Sequence, residues 1–159
     1  MLPTNTFTRV KPDVTDEFEL REATAADRSY VRTLLEREGL PSSDVGESPA
    51  RFYVAVEGSD AVGVGGIEAY GDCGLLRSVV VEAAARGEGT GAALCDALEA
   101  RARDAGVETL YLLTTTAAPF FADRGYAETP RTDVPEAVAR TAEFEDLCPD
   151  AATCMKKSL

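Results

Sequence analysis

Apolar and polar positions alternate from Glu17 to Arg21, with Phe18 and Leu20 standing between Glu17, Glu19 and Arg21. That period of two predicts a half-buried strand. Thr24-Ala25-Ala26-Asp27 reads as a capping-box start. Tyr30, Val31, Leu34 and Leu35 then recur at helical spacing until Gly39, a natural C-terminal stop. Strands are predicted over 52–57, 61–70 and 75–81, separated by turns at Gly58-Ser59-Asp60 and Gly71-Asp72, so they should form an antiparallel meander. The run Val79-Val80-Val81 is apolar on both faces and predicts a central, buried strand.

From residue 82 the pattern changes. A small-residue loop over 82–89 leads into a helix predicted from Thr90 to Arg103, with Ala93, Leu94, Ala97, Leu98 and Arg101 along one side and Gly106 closing it. A strand over 108–113 follows, and a strand-helix-strand unit implies a parallel crossover. Ala117 to Arg124 predicts a short helix closed by Gly125, and Tyr126 begins another strand. Asp133-Val134-Pro135-Glu136 starts a helix running to about Glu145, and Ala152 to Lys157 is a last strand at the sheet edge. Residues 1–16 read as a loose arm, and Pro41 to Pro49 as a loop. The expected fold class is α/β (α+β): one domain over 17–159, a mixed central sheet of about six or seven strands and helices on both faces.

Composition narrows the chemistry. The chain has 159 residues, which suits one core. Acids outnumber bases 28 to 16, giving a net charge of -12, a surface that repels nucleic acid and anionic membranes. Lys11, Lys156 and Lys157 are the only lysines, a balance like that of salt-loving organisms' proteins or of an ordinary acidic enzyme. No apolar run spans a bilayer and the N-terminus lacks a secretory h-region, so a cytoplasmic protein is expected. The absence of histidine removes Ser-His-Asp and Cys-His catalysis and the commonest transition-metal ligand. Cys73, Cys95, Cys148 and Cys154 form no C-x-x-C, so zinc is not expected and the chain should need no metal. Cys95 should be a buried thiol, and Cys148 and Cys154 flank Pro149, which leaves open a disulfide or a soft-metal site there against two reduced thiols.

The decisive stretch is Leu75-Leu76-Arg77-Ser78-Val79-Val80-Val81, then Glu82-Ala83-Ala84-Ala85, then Arg86-Gly87-Glu88-Gly89-Thr90-Gly91. Its glycines let successive amides point inward as an anion nest, and the next helix adds unpaired N–H groups and its positive end. Such a pyrophosphate cradle needs little basic side-chain charge. Gly87 to Ala92 also fits G-x-G-x-x-A, the dinucleotide pattern. Glu82 to Arg86 intervene between strand and glycines, however, and the preceding strands form a meander, both against a dinucleotide fold. No Lys-Ser or Lys-Thr follows, which excludes a Walker loop.

Arg86-x-x-Gly89-x-Gly91 after a buried strand resembles the R/Q-x-x-G-x-G/A signature of the GNAT N-acetyltransferase superfamily. Leu110 to Thr116 and Phe120-Phe121-Ala122-Asp123-Arg124-Gly125-Tyr126 follow in the matching order and spacing. The combination is similar to the amino-acid N-acetyltransferase branch, which includes the acetyltransferase domain of N-acetylglutamate synthase, and to the small acetyltransferases associated with arsenic resistance. The resemblance implies a GNAT fold whose buried strand carries a bulge and splays from the next parallel strand. Pantetheine of acetyl-CoA, the cosubstrate, would lie in that gap, with backbone contacts from Val79 and Val81. Val79 or Val80 would donate to the thioester oxygen, and Arg86, Gly87, Glu88, Gly89, Thr90 and Gly91 would hold the pyrophosphate.

The implied reaction is attack by a neutral primary amine within a ternary complex, so a base is needed. Glu68 is the candidate, with Glu82 a structural residue or weaker choice. Relatives carry a thiolate-protonating tyrosine at the position of Phe121; Tyr70, Tyr111 or water would then supply that proton, and Phe121 would border the cofactor. Thr116 stands near a coenzyme-contacting position. Arg77, with Ser78 beside it, would grip a substrate carboxylate or form a structural ion pair. The expected partner is a small amine, with no nucleic acid or membrane; homodimers are common among such relatives. The alternatives from other classes are an acyl-CoA-binding sensor without catalysis and a dinucleotide oxidoreductase.

Overall fold

The first strand of the computed structural model, β1 (Phe18–Glu22), buries Leu20 and exposes Glu19 and Arg21, as its alternation requires. The structure describes residues 18–40, 42–43, 45–46, 50–87, 89–141, 144 and 152–159. The N-terminal arm and most of the Pro41–Pro49 loop therefore lie outside the described residues, as does Cys148.

A short 3-10 turn (Ala25–Asp27) leads into helix α1 (Arg28–Arg37). The Asp27 carboxylate accepts the Thr24 N–H at 2.8 Å and Arg21 Nη1 at 2.6 Å. Those bonds, the one from Arg21 above all, hold its carboxyl well below the usual carboxylate range. The helix ends where the Leu40 N–H turns back to the Leu35 carbonyl at 2.9 Å.

Strands β2 (Arg51–Glu57), β3 (Asp60–Tyr70) and β4 (Cys73–Val81) form the expected antiparallel meander. Helix α2 (Thr90–Asp104) then crosses to β5 (Thr109–Thr114), which lies parallel to β4. Helix α3 (Ala118–Asp123), the two-residue β6 (Ala127–Glu128), helix α4 (Glu136–Ala139) and β7 (Thr153–Ser158) complete the described elements. The sheet order is β1-β2-β3-β4-β5-β7-β6, which puts β4 at its centre. Leu94, Leu98 and Phe121 bring α2 and α3 onto one face. Val31, Leu34 and Leu35 of α1, and Val138 of α4, cover the other.

Three expectations need correction. The last strand is not at the edge: β7 lies between β5 and β6, because Cys154 and Met155 bury on opposite faces. Helix α4 closes at Ala139, and past Thr141 only Phe144 is described before Ala152, so its predicted extension to Glu145 falls largely outside. The buried stripe of α2 is rotated from the predicted one to Leu94, Cys95, Leu98, Glu99 and Ala102. Glu99 is tolerated inside because its carboxylate accepts Tyr126 Oη at 3.0 Å and Lys157 Nζ at 2.9 Å. Cys95 is fully buried as expected, and burial pushes its thiol up to about 12. Cys73, Cys95 and Cys154 are free thiols.

The approach of α2 to β3 depends on Gly65, where a Cβ would run into Leu98 Cδ1. Gly65→Ala is therefore expected to lower the free energy of unfolding by about 1–3 kcal/mol, the usual cost of overpacking. Urea denaturation measures it. A loss under about 0.5 kcal/mol, the range of an ordinary surface change, would mean that α2 moves off freely.

Candidate active site

Strand β4 pairs with β3 nearly end to end, but with β5 only at Cys73↔Thr109, Gly74↔Leu110 and Leu75↔Tyr111. Past Leu75 the parallel strands part, and the main chain of residues 76–81 has no strand partner on its β5 side. The break coincides with a bulge. Val64 opposes Val80 and Gly66 opposes Arg77, so two steps along β3 face three along β4. The extra residue is Ser78, with φ +60°, the one non-glycine residue of positive φ among the described residues. A residue of this kind held there stores strain of about 1–3 kcal/mol.

The bulge also resets which face each side chain meets. Leu76 packs toward α2, and one step later Arg77 lies over Phe52 on the α1 face. After Ser78, Val79 and Val81 again pack toward α2 and Val80 toward α1. Val80 is buried, whereas Val79 and Val81 are only half-buried, which corrects the reading of this run as buried on both faces. The gap leaves them without a neighbouring strand.

The loop after β4 is built for exposed amides. Gly87 and Gly89 have φ of +84° and +82°, and a Cβ on either would meet nothing within 4 Å. Backbone conformation, not crowding, thus requires glycine at both. The first helical bond of α2 runs from Ala93 N–H to the Gly89 carbonyl at 3.0 Å. The amides of Thr90, Gly91 and Ala92 are left without a helical acceptor at the positive end of a 15-residue helix. Arg86 serves a different end: its Nε donates to the Val81 carbonyl at 2.9 Å and its Nη2 pairs with Glu38 at 3.0 Å. The guanidinium fixes the loop to the strand end and to the C-cap of α1. Glu88 lies outside the described residues.

On the α1 face, buried Glu68, Arg77 and Ser78 form one cluster with half-buried Tyr70. Arg77, with no exposed side-chain surface, donates from Nη1 to Glu68 Oε2 at 3.1 Å and from Nε to Ser78 Oγ at 3.0 Å. Tyr70 Oη donates to the other oxygen of Glu68. The Arg77 guanidinium also stacks over the Phe52 ring at 5.4 Å. Gly66 leaves room for that stack, since a Cβ there would meet Phe52 Cε1 at 3.1 Å and Arg77 Cγ at 3.3 Å. Burial, and then the bond to Glu68, push the Tyr70 hydroxyl above its ordinary value, so it stays protonated at neutral pH. Of the two readings of Arg77, the geometry has the form of the ion pair: its guanidinium bonds Glu68 and Ser78 inside the protein. The Ser78 hydroxyl is likewise taken by Arg77.

The remaining candidates separate. Tyr111 sits in the last pair of the β4–β5 ladder, at the apex of the gap, with its side chain buried beside Leu75, Val134 and Val138. Burial raises its hydroxyl above the ordinary value too. Thr116 is exposed in the turn after β5. Phe121 points into the core, edge-on to Tyr126 at 5.5 Å, because α3 turns that side inward. Its neighbour Phe120 is the ring at the loop, 3.4 Å from where a Gly91 Cβ would be and 37% exposed. The sequence reading set Phe121 against the cofactor, whereas the structure brings the adjacent Phe120 to the loop. Glu82 accepts Tyr30 Oη at 2.8 Å and Arg37 Nη1 at 3.0 Å, a tie between α1 and the end of β4.

The fold that holds these features is matched in solved structures. The chain superposes on N-acetylglutamate synthase from Neisseria gonorrhoeae, complexed with coenzyme A and L-arginine, with TM-score 0.73 and 19% identity, over 89% of this chain and 33% of that one. It superposes on Rv2747 from Mycobacterium tuberculosis, in complex with CoA and NLQ, with TM-score 0.72 and 26% identity, over 89% of this chain and 99% of that one. In sequence it is 36% identical over 74 residues to an amino-acid acetyltransferase of Ectopseudomonas mendocina, which is 46% of this chain. It spans only 17% of that relative's length. Residues 48–128 match the family described as Acetyltransferase (GNAT) domain, and the chain belongs to the GNAT acetyltransferase family.

Proposed function

We propose that this chain is an acetyl-CoA-dependent N-acetyltransferase acting on the primary amine of a small amino-acid-like substrate, by direct attack in a ternary complex. The observation that carries the reading is the three-residue β4–β5 ladder, which leaves β4 unpaired on its β5 side from residue 76 up to the glycine loop. It leaves a strand edge for an amide-bearing arm and, at the start of α2, amides for a diphosphate. The open space at Gly87 and Gly89 fits such a ligand, as does the absence of any need for basic side chains in a chain of net charge -12.

Acetyl-CoA would supply an acetyl group activated as a thioester. In this reading the main chain at Val79 to Val81 lies along its pantetheine, with Val79 or Val80 N–H toward the thioester oxygen. The loop from Arg86 to Gly91 holds the diphosphate, and Phe120 walls it. Glu68 takes the proton of the amine, with the Tyr70 hydroxyl bonded to one oxygen of that carboxylate. Tyr111, at the apex of the gap, is placed to return a proton to the departing sulfur. The amino-acid class of acceptor is supported by the sequence relative, an amino-acid acetyltransferase.

The test is release of free thiol from acetyl-CoA with each standard amino acid, and with amino acids bearing a phosphinate or arsinate side chain. Thiol release that depends on one acceptor supports the reading. Tight binding of coenzyme A with no release on any amine would leave a binding protein instead.

A further inference from the structure

We propose that Arg77 is a positioning residue that locks the candidate base on β3 to the bulge on β4; the inference rests on the acetyltransferase reading above. Two nitrogens of one guanidinium serve the two elements. Nη1 holds Glu68 Oε2 at 3.1 Å, and Nε holds Ser78 Oγ at 3.0 Å. The ring of Phe52 closes the flat face of the group at 5.4 Å, and no part of the Arg77 side chain is exposed.

The planar fork explains why this residue is arginine. Its donors lie in fixed directions, so setting one sets the other. Glu68 is thereby aimed, and one of its oxygens is left to Tyr70. Ser78 is the residue that needs holding, because φ +60° is unfavourable for any side chain other than glycine's. A hydrogen bond to its hydroxyl offsets part of that strain and fixes the bulge. The bulge in turn sets where the Val79 and Val80 amides stand relative to Glu68. A base and a pair of amide donors must keep one separation for attack and charge stabilisation to coincide, and small misplacements are costly.

Two consequences distinguish this from a substrate clamp and from a merely structural pair. Arg77 acts on turnover through Glu68, so its loss should matter little once Glu68 is already glutamine. It acts on coenzyme binding through the strained Ser78, so glycine at 78, which adopts positive φ unaided, should rescue that defect.

The experiment measures kcat and KM by thiol release, and coenzyme A affinity by calorimetry, for Arg77→Met, Glu68→Gln, Ser78→Gly and the double variants. The acceptors are the best standard amino acid and its α-carboxamide, with circular dichroism as a check on folding. Arg77→Met is expected to lower kcat by about tenfold or more, equally for acid and carboxamide, as an interaction made in the transition state would. Arg77→Met/Glu68→Gln should turn over within about threefold of Glu68→Gln alone, since residues acting as a unit are not additive. Coenzyme A affinity should fall in Arg77→Met and return in Arg77→Met/Ser78→Gly. Should Arg77→Met fail to fold, the charge-neutral Arg77→Met/Glu68→Gln decides by the same comparison.

A raised KM for the amino acid but not for its carboxamide would overturn the proposal in favour of a clamp. Additive losses in kcat, or an affinity defect that glycine at 78 leaves in place, would overturn it as well. If the unaltered chain acetylates no amine, the acetyltransferase reading fails on its own account. The coenzyme A arm then still decides whether Arg77 holds the bulge.

Discussion

Glu68→Gln is expected to lower kcat by about 10²–10⁴-fold, the range that a positioned general base contributes. The substitution keeps the shape and an oxygen for Arg77, while the Tyr70 hydroxyl, which can accept as well as donate, turns to accept from the new amide N–H, so the loss reports the proton-accepting capacity of the carboxylate. Glu68 is 2% exposed and rigidly bonded, which suits a group that acts at one geometry. Because Glu68 lies on the α1 face and the amides of the loop lie at the start of α2, coenzyme A affinity should move less than about threefold, as for a residue whose role is confined to the chemical step. Thiol-release kinetics at saturating acetyl-CoA give the answer. A kcat within about threefold of the parent would remove Glu68 from the chemistry and shift attention to water.

Gly89→Val should abolish useful coenzyme A binding, raising Kd by about 10²-fold or more. Two effects combine. A β-branched residue at φ +82° costs at least about 1–2 kcal/mol of backbone strain, and its γ-carbons occupy the space where the loop's amides are open. Gly71→Val separates the two. Gly71 has φ +69° and equally open surroundings, but it sits in the β3–β4 turn. It should therefore cost comparable stability and leave coenzyme A affinity unchanged. Equal losses of affinity in both variants would mean that strain, rather than the loop, governs binding.

Much of the fold was legible because its elements announce themselves locally. Alternation marked β1, three glycine-bounded apolar runs marked the meander, and the glycine loop marked the start of α2. What sequence periodicity lacked was pairing. Cys154 and Met155 lie beside Lys156 and Lys157, which reads as a polar-ended edge strand, yet Glu99 draws Lys157 inward and β7 becomes an interior strand. Glu99 itself was invisible as a core residue, since its partners Tyr126 and Lys157 are distant in sequence. The same limit governed the site. Glu68 and Arg77 were singled out separately, but nine residues of separation and a turn between them gave no sign that they address each other. The bulge at Ser78 carries no residue signature at all; a serine does not announce φ +60°, and only the register against Val64 and Gly66 exposes it. Phe120 and Phe121 are adjacent and chemically alike, so their opposite orientations depend on the phase of a six-residue helix.

The central claim is that the gap past Leu75↔Tyr111 and the loop beside it form one coenzyme A site. Calorimetric titration of coenzyme A into the purified chain tests it most directly, with NAD⁺ as the competing dinucleotide and Gly89→Val alongside. Saturable heat with coenzyme A, none with NAD⁺ and none in Gly89→Val is the predicted result. No heat with coenzyme A, or an unchanged isotherm in Gly89→Val, would contradict it.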